Sequence, residues 1–333
     1  MRSVLRRTAR TALTVALAVT LGACAAQLPQ PHPPPAPAVA PPVLSSVQSV
    51  DVLSRIGVVL ATADSKLDPV GLPERLVGPA LAIRTAEYVK AAATGGARPP
   101  TVLPMTAQIF VTPDTTTWPR TQLVVTAQPA DLQAPRLLVL TQPTARDPYR
   151  LWGWARLGAG VKMPPTADSA TGSAPLGPDA GGLLLTPAQT LTQYADVLAN
   201  GDRSSFVGAF PADFFRTLIE SERAGYAESV KAVATVTETY TPAADGVYAM
   251  ATANGGAIVV GNLTTATSIA VTQGSVALDD PFEAALAGRK SLTKSSVRTW
   301  TDVVAFYVPP AGSPTTKVQV LAAEHTLTAV TGE

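Results

Sequence analysis

The chain has 333 residues, 46% hydrophobic and only 15% charged, with 25 Lys and Arg against 24 Asp and Glu. That length and apolar content suit two domains of ordinary size with real cores, and the absence of any Lys/Arg cluster beyond Arg10 excludes the electrostatic footprint of a nucleic-acid binder. One cysteine excludes a disulfide framework, and two histidines beside it are too few for a zinc site.

The chain opens on Arg2, Arg6, Arg7 and Arg10, followed by an apolar run from Thr11 to Leu21 that is too short to span a bilayer. A basic region, a short apolar region and small residues at Gly22 and Ala23 describe a signal peptide over residues 1–23. Leu21-Gly22-Ala23-Cys24 resembles a bacterial lipobox, which implies that Cys24 is acylated and becomes the new N-terminus. Two or more acyl chains anchor a protein stably, so the expected location is the extracytoplasmic face of the cell membrane, with Cys24 as lipidation site. Of the 25 basic residues, four leave with the signal peptide; the remaining 21 face 24 acidic ones, a charge of about −3. No second apolar run of about 18 residues follows.

Residues 24–44 form a Pro/Ala-rich tether that includes His32. Proline stiffens such a segment toward polyproline II at about 3.1 Å per residue, so it lifts the body by up to roughly 60 Å. A first α+β domain is expected over 45–163. Val47, Val50, Leu53, Ile56 and Leu60 recur at helical spacing from Ser45, and a second helical stretch runs from Leu72 to Ala92. The period then changes to two. Thr106–Thr112, Thr121–Ala127, Pro135–Thr141 and Tyr149–Leu157 are short runs between turn residues, a four-stranded antiparallel meander.

Residues 164–182, rich in Pro, Gly, Ser and Ala, are expected to link this domain to a second one over 183–333. There Thr186-Pro187-Ala188-Gln189 fits a capping box for a helix from Pro187 to Ala199. A second helix is expected from Asp213 to Val233. Strands follow at Thr235–Thr241, Gly246–Thr252, Ala257–Asn262, Thr267–Thr272, Val297–Val308 and Lys317–Val330, with a hairpin turn at Asn254-Gly255-Gly256. The order helix, helix, sheet is thus used twice, echoed in Val59–Asp64 against Val197–Asp202 and in Arg84…Tyr88 against Arg223…Tyr226. The fold class this implies is α+β, two tandem helix-helix-antiparallel-sheet halves with helices packed on one sheet face.

Tyr194-Ala195-Asp196-Val197-Leu198-Ala199-Asn200-Gly201-Asp202 resembles the opening helix of nuclear-transport-factor-2-like (NTF2-like) folds, which implies cone-shaped halves whose curved sheets close over a pocket. Pro148–Leu157, Asn254–Val260 and Asp302–Pro310, with the lipobox, resemble an uncharacterised family of actinobacterial lipoproteins, a domain of unknown function. That resemblance implies location and lineage, and no mechanism.

Trp152 and Trp154 alternate on an expected strand, as core fillers or as the floor of a pocket. Arg156 lies two residues on, where a guanidinium beside indoles suits an anionic or aromatic ligand or a structural stack. Trp300 offers the same in the second half. His325 falls on a face with Leu321, Ala323 and Leu327, the usual setting of a core histidine, and no Gly-x-Ser-x-Gly elbow accompanies it. Ser291-Leu292-Thr293-Lys294 fits Ser-x-x-Lys by spacing alone, without its companion motifs. Asp279, Asp280 and Glu283 read as a helix N-cap rather than a calcium loop. Arg216, Glu220, Glu222 and Arg223 are spaced as a solvated helix face. No metal, cofactor or catalytic residue is expected. The function implied is a non-catalytic envelope module for a small apolar or anionic ligand or a protein partner; the alternative is a cone-pocket hydrolase or isomerase using an Asp or Glu for acid–base work.

Overall fold

The computed structural model describes residues 42–130 and 132–333; the expected signal peptide, Cys24 and the tether up to residue 41 lie outside the described residues. Helix α1 (Ser46–Asp64) starts at a capping box in which Ser45 and Gln48 satisfy each other's backbone N–H. It buries Ser49, Leu53, Ile56, Leu60 and Ala63. Val47 and Val50, expected on that face, are exposed instead. Ser49 takes the inner position because the buried Gln122 side chain donates to its hydroxyl at 2.8 Å, so the serine's polar group is paired inside the core.

The helix expected from Leu72 to Ala92 is broken in two. A short 3-10 turn, Leu72–Glu74, precedes α2 (Gly78–Ala93). Between them the backbone runs beside strand β4 (Arg150–Leu157), where Val77 donates to the Leu151 carbonyl and Leu151 to that of Arg75. Gly78 makes the corner at φ +55, and a Cβ there would lie 2.9 Å from the Trp152 ring. Strands β1 (Ala107–Val111), β2 (Arg120–Thr126) and β3 (Arg136–Gln142) complete the meander with β4 where sequence periodicity places it.

The segment 164–182 is stitched to both sides. Ser173 donates to the Thr112 carbonyl, and β5 (Pro175–Leu176) pairs with a strand of the second half. Then come α3 (Pro187–Asn200), capped by Thr186 and Gln189, and α4 (Phe214–Val230), capped by Asp213. The four strands expected between 235 and 272 are two long ones, β6 (Ala234–Ala251) and β7 (Ala257–Val271). A register shift between Pro242 and Val247 absorbs what looks like a break in the sequence. The small pair β8 (Val276–Ala277) and β9 (Ser291–Leu292) flanks α5 (Pro281–Ala287), and β10 (Ser295–Val308) and β11 (Gln319–Gly332) end the chain.

All the longer strands join one nine-stranded sheet in the order β1-β2-β3-β4-β11-β10-β7-β6-β5. The two meanders meet last strand to last strand, Arg156 and Leu157 of β4 opposite Ala323 and Ala322 of β11. Helices cover both faces of the second half, not one as expected. Along β10, Val303 and Ala305 belong to the core of α1, α2 and β1–β4, whereas Val304, Phe306 and Val308 belong to the core under α3 and α4. Alternate side chains of a strand point to opposite faces, so these strands are buried on both.

Candidate functional site

On the α4 side of the sheet, apolar side chains give way to polar ones as the strands run on. Val304 and Phe306 pack under α3, and the same face of β10 continues through Asp302, Trp300 and Arg298. Register sets Thr265 opposite Trp300 and Thr267 opposite Arg298 on β7, Glu238 opposite Thr267 on β6, and His325 opposite Asp302 on β11. Above them α4 contributes Ile219, Glu222, Arg223 and Tyr226. Between helix and sheet lies a cavity of about 370 Å³.

At its base is a chain of hydrogen bonds. Thr265 donates its hydroxyl to one oxygen of Asp302 at 2.5 Å, and the other oxygen lies 2.5 Å from Nδ1 of His325. The ring's Nε2 is 3.5 Å from Glu222, at the mouth. Asp302 is fully buried and the His325 side chain only 7% exposed. Burial alone would lower the histidine's pKa, but Asp302, by charge and hydrogen bond, and then Glu222 outweigh it and raise it to about 9. The imidazole is therefore a fixed cation at neutral pH. It donates through Nδ1 to Asp302 and turns Nε2 toward Glu222.

A ladder of rings and cations builds the wall. His325 stacks on Trp300 at 4.2 Å with planes 7° apart, Arg298 lies 5.2 Å from the Trp300 ring, and the same guanidinium is 4.1 Å from the ring of Tyr226. Such contacts contribute roughly 0.5–2 kcal/mol each, more when desolvated. Glu283 pairs with Arg298 at 2.9 Å; burial, opposed by that arginine, raises its pKa. Glu238 accepts from Thr267 at 2.9 Å and Tyr240 at 2.7 Å, so both its oxygens are held. Arg223, whose guanidinium donates to the Leu198 carbonyl, flanks the opening.

A second cleft, about 190 Å³, opens on the other side of α4, lined by Phe214, Leu218, Arg136, Arg156 and Glu324, and it shares His325 with the first. Of the residues singled out in the sequence, Trp300 thus stacks on His325 in the first cavity, and Arg156 shares the second cleft with it. Trp152 and Trp154 do not join them. Both are buried in the core of the first half, Trp152 edge-on to Tyr248 at 4.7 Å and Trp154 beneath the Arg84 guanidinium. Sequence reasoning passed over Asp302 and Thr265; of the solvated face it expected, Glu222 is exposed, whereas Arg216 is buried and held by Asp202 and Glu220. The available signal was the alternation Arg298-x-Trp300-x-Asp302, which puts a cation, an aromatic and an acid on one strand face.

Among the described residues no cluster of His, Cys, Asp and Glu is arranged to hold a metal ion. The site can present an imidazolium N–H and a neighbouring guanidinium to a ligand that displaces Glu222. No curated protein and no solved structure matches the chain. A family model described as a domain of unknown function (DUF8094) matches residues 40–332, and the chain belongs to that family.

Proposed function

We propose that this chain is a lipoprotein anchored through Cys24 to the extracytoplasmic face of the membrane. Its body is a non-catalytic module that binds a small ligand bearing an acidic group beneath α4. One observation carries the binding reading: a buried histidine, held by Asp302 and stacked on Trp300, sits with Arg223 on the wall of a 370 Å³ cavity. A charge held in place before the ligand arrives loses little on binding. The basic n-region, short apolar run and Leu21-Gly22-Ala23-Cys24 support the anchor.

The two halves are, on this reading, a duplication of an NTF2-like unit. Each places two helices before a four-stranded meander. Each also links its first helix's end to its second helix by an Asp–Arg pair, Asp64 to Arg84 at 3.5 Å and Asp202 to Arg216 at 2.6 Å.

Native mass spectrometry of the chain, purified gently from the envelope, tests the binding reading. A small retained mass is expected in the wild type and not in Arg223→Ala. A bare wild-type mass, or a co-purifying protein alone, would move the role to protein interaction in the envelope. For the anchor, Cys24→Ser should move the protein out of the membrane fraction; unchanged association would refute lipidation as the anchor. A second reading, a cone-pocket hydrolase or isomerase, has the Thr265–Asp302–His325 chain in its favour, since a buried acid orienting a histidine is a familiar acid–base arrangement. It requires the retained compound to be converted on incubation with the wild type and not with Asp302→Asn.

A further inference from the structure

On the far side of the first half, a cavity of about 330 Å³ lies between α1, the Leu72–Glu74 turn and the loops that join β1 to β2 and β3 to β4. Three arginines line it, Arg55 from α1, Arg75 after the turn and Arg120 at the start of β2, against one carboxylate, Asp51. Among the described residues no carboxylate lies within 4.0 Å of any of these guanidiniums. Two of them make weaker contacts: Arg75 donates to the Tyr149 carbonyl at 3.3 Å and Arg120 to that of Thr117 at 3.4 Å. Arg120 also stacks 3.8 Å from the Trp118 ring, whose N–H is fixed by Gln142 at 3.0 Å. That stack orients the guanidinium without neutralising it.

A second observation points the same way. Tyr149, also in the lining, is 5% exposed, and its hydroxyl is buried without a hydrogen-bond partner. A buried hydroxyl normally finds one, and an orphan costs roughly 1–3 kcal/mol. Burial, opposed by Arg120, pushes this phenol up to about 12, so it keeps its proton and remains a donor. The cavity therefore holds an excess of two positive charges, and one residue of its lining carries a buried hydroxyl without a partner. A guanidinium's planar fork matches the oxygens of a phosphoryl group better than those of a neutral ligand.

We propose that this cavity binds a phosphate-type dianion, carried by a lipid headgroup or by a free phosphate or phosphomonoester. It is a separate site from the cavity beneath α4. Leu44 and Gln48, where the tether enters α1, also line it, so a headgroup at the tether's root and a diffusing phosphate are both within its chemistry.

The test uses the full chain carrying Cys24→Ser, so that no acyl chain supplies membrane contact, at low ionic strength. Inorganic phosphate is titrated calorimetrically. Sedimentation is measured with vesicles of phosphatidylcholine alone and with a minor fraction of phosphatidic acid. Saturable phosphate binding, weakened roughly tenfold or more by Arg55→Ala and by Tyr149→Phe, establishes the site for a free phosphate. Recruitment to phosphatidic acid alone, lost in the same variants, establishes it for a headgroup. Arg55 is exposed and Tyr149→Phe keeps the ring, so both variants retain the fold. Absence of binding to either probe, or binding that both variants leave unchanged, overturns the proposal.

Discussion

His325 owes its charge to a partner 23 residues earlier, and only the register of β10 against β11 brings the two together. Sequence alone places this histidine on an apolar face and goes no further, since nothing in the chain's order links it to Asp302, which heads the apolar run Val303-Val304-Ala305-Phe306. The pairing has a consequence for stability. The folded pKa, about 9, lies above the ordinary value of 6.5, so the protonated ring stabilises the fold fully below pH 6.5. That contribution fades as pH rises through 9. The shift corresponds to about 2–3 kcal/mol, allowing for Glu222, which is half exposed and screened. Urea unfolding from below pH 6.5 to above pH 9 should show wild type losing that much more stability than His325→Gln. Parallel pH profiles for the two proteins would mean the ring is not a buried cation.

At the scale of the element, α3 lies so close to β7 that a Cβ at Gly261 would fall 2.5 Å from Cδ1 of Leu191. Gly261→Ala should therefore cost about 1–3 kcal/mol by overpacking, read as a lower urea midpoint. Adding Leu191→Val should recover part of it, and a neutral Gly261→Ala would contradict this close approach. Much at this scale was legible in advance. Thr186 with Gln189 and Asp280 before Pro281 cap helices as their spacing suggests, because capping is a local transaction between neighbours. The break between Leu72 and Gly78 was not legible. It exists because residues 75–77 hydrogen-bond to β4, more than seventy residues away. Nor was the fusion of short strands into β6, since Pro242 and its neighbours carry turn chemistry that a bulge accommodates equally well. Helices on both faces had left a trace, the unbroken apolar run Val303-Val304-Ala305-Phe306, which lacks the alternation of a half-solvated strand.

For the molecule as a whole, the join between β4 and β11 sets the strands of both halves in one sheet. The core of the first half includes Met250, Ile258, Val260, Val303 and Leu321 from the second. Each half exposes apolar surface if the other is missing, so near-UV and far-UV circular dichroism should report one coincident urea transition. Two separated transitions would mean the halves fold independently. The Trp300–His325 stack carries a last consequence. Of the four tryptophans, Trp152 and Trp154 are locked in the first core, Trp118 lies in a surface loop, and Trp300 rests on the titrating imidazole. A protonated imidazole in face contact quenches indole emission by drawing an electron from the excited ring, whereas the neutral ring quenches weakly. The folded protein should therefore brighten as pH rises through about 9, so that its own light reports the charge of the site.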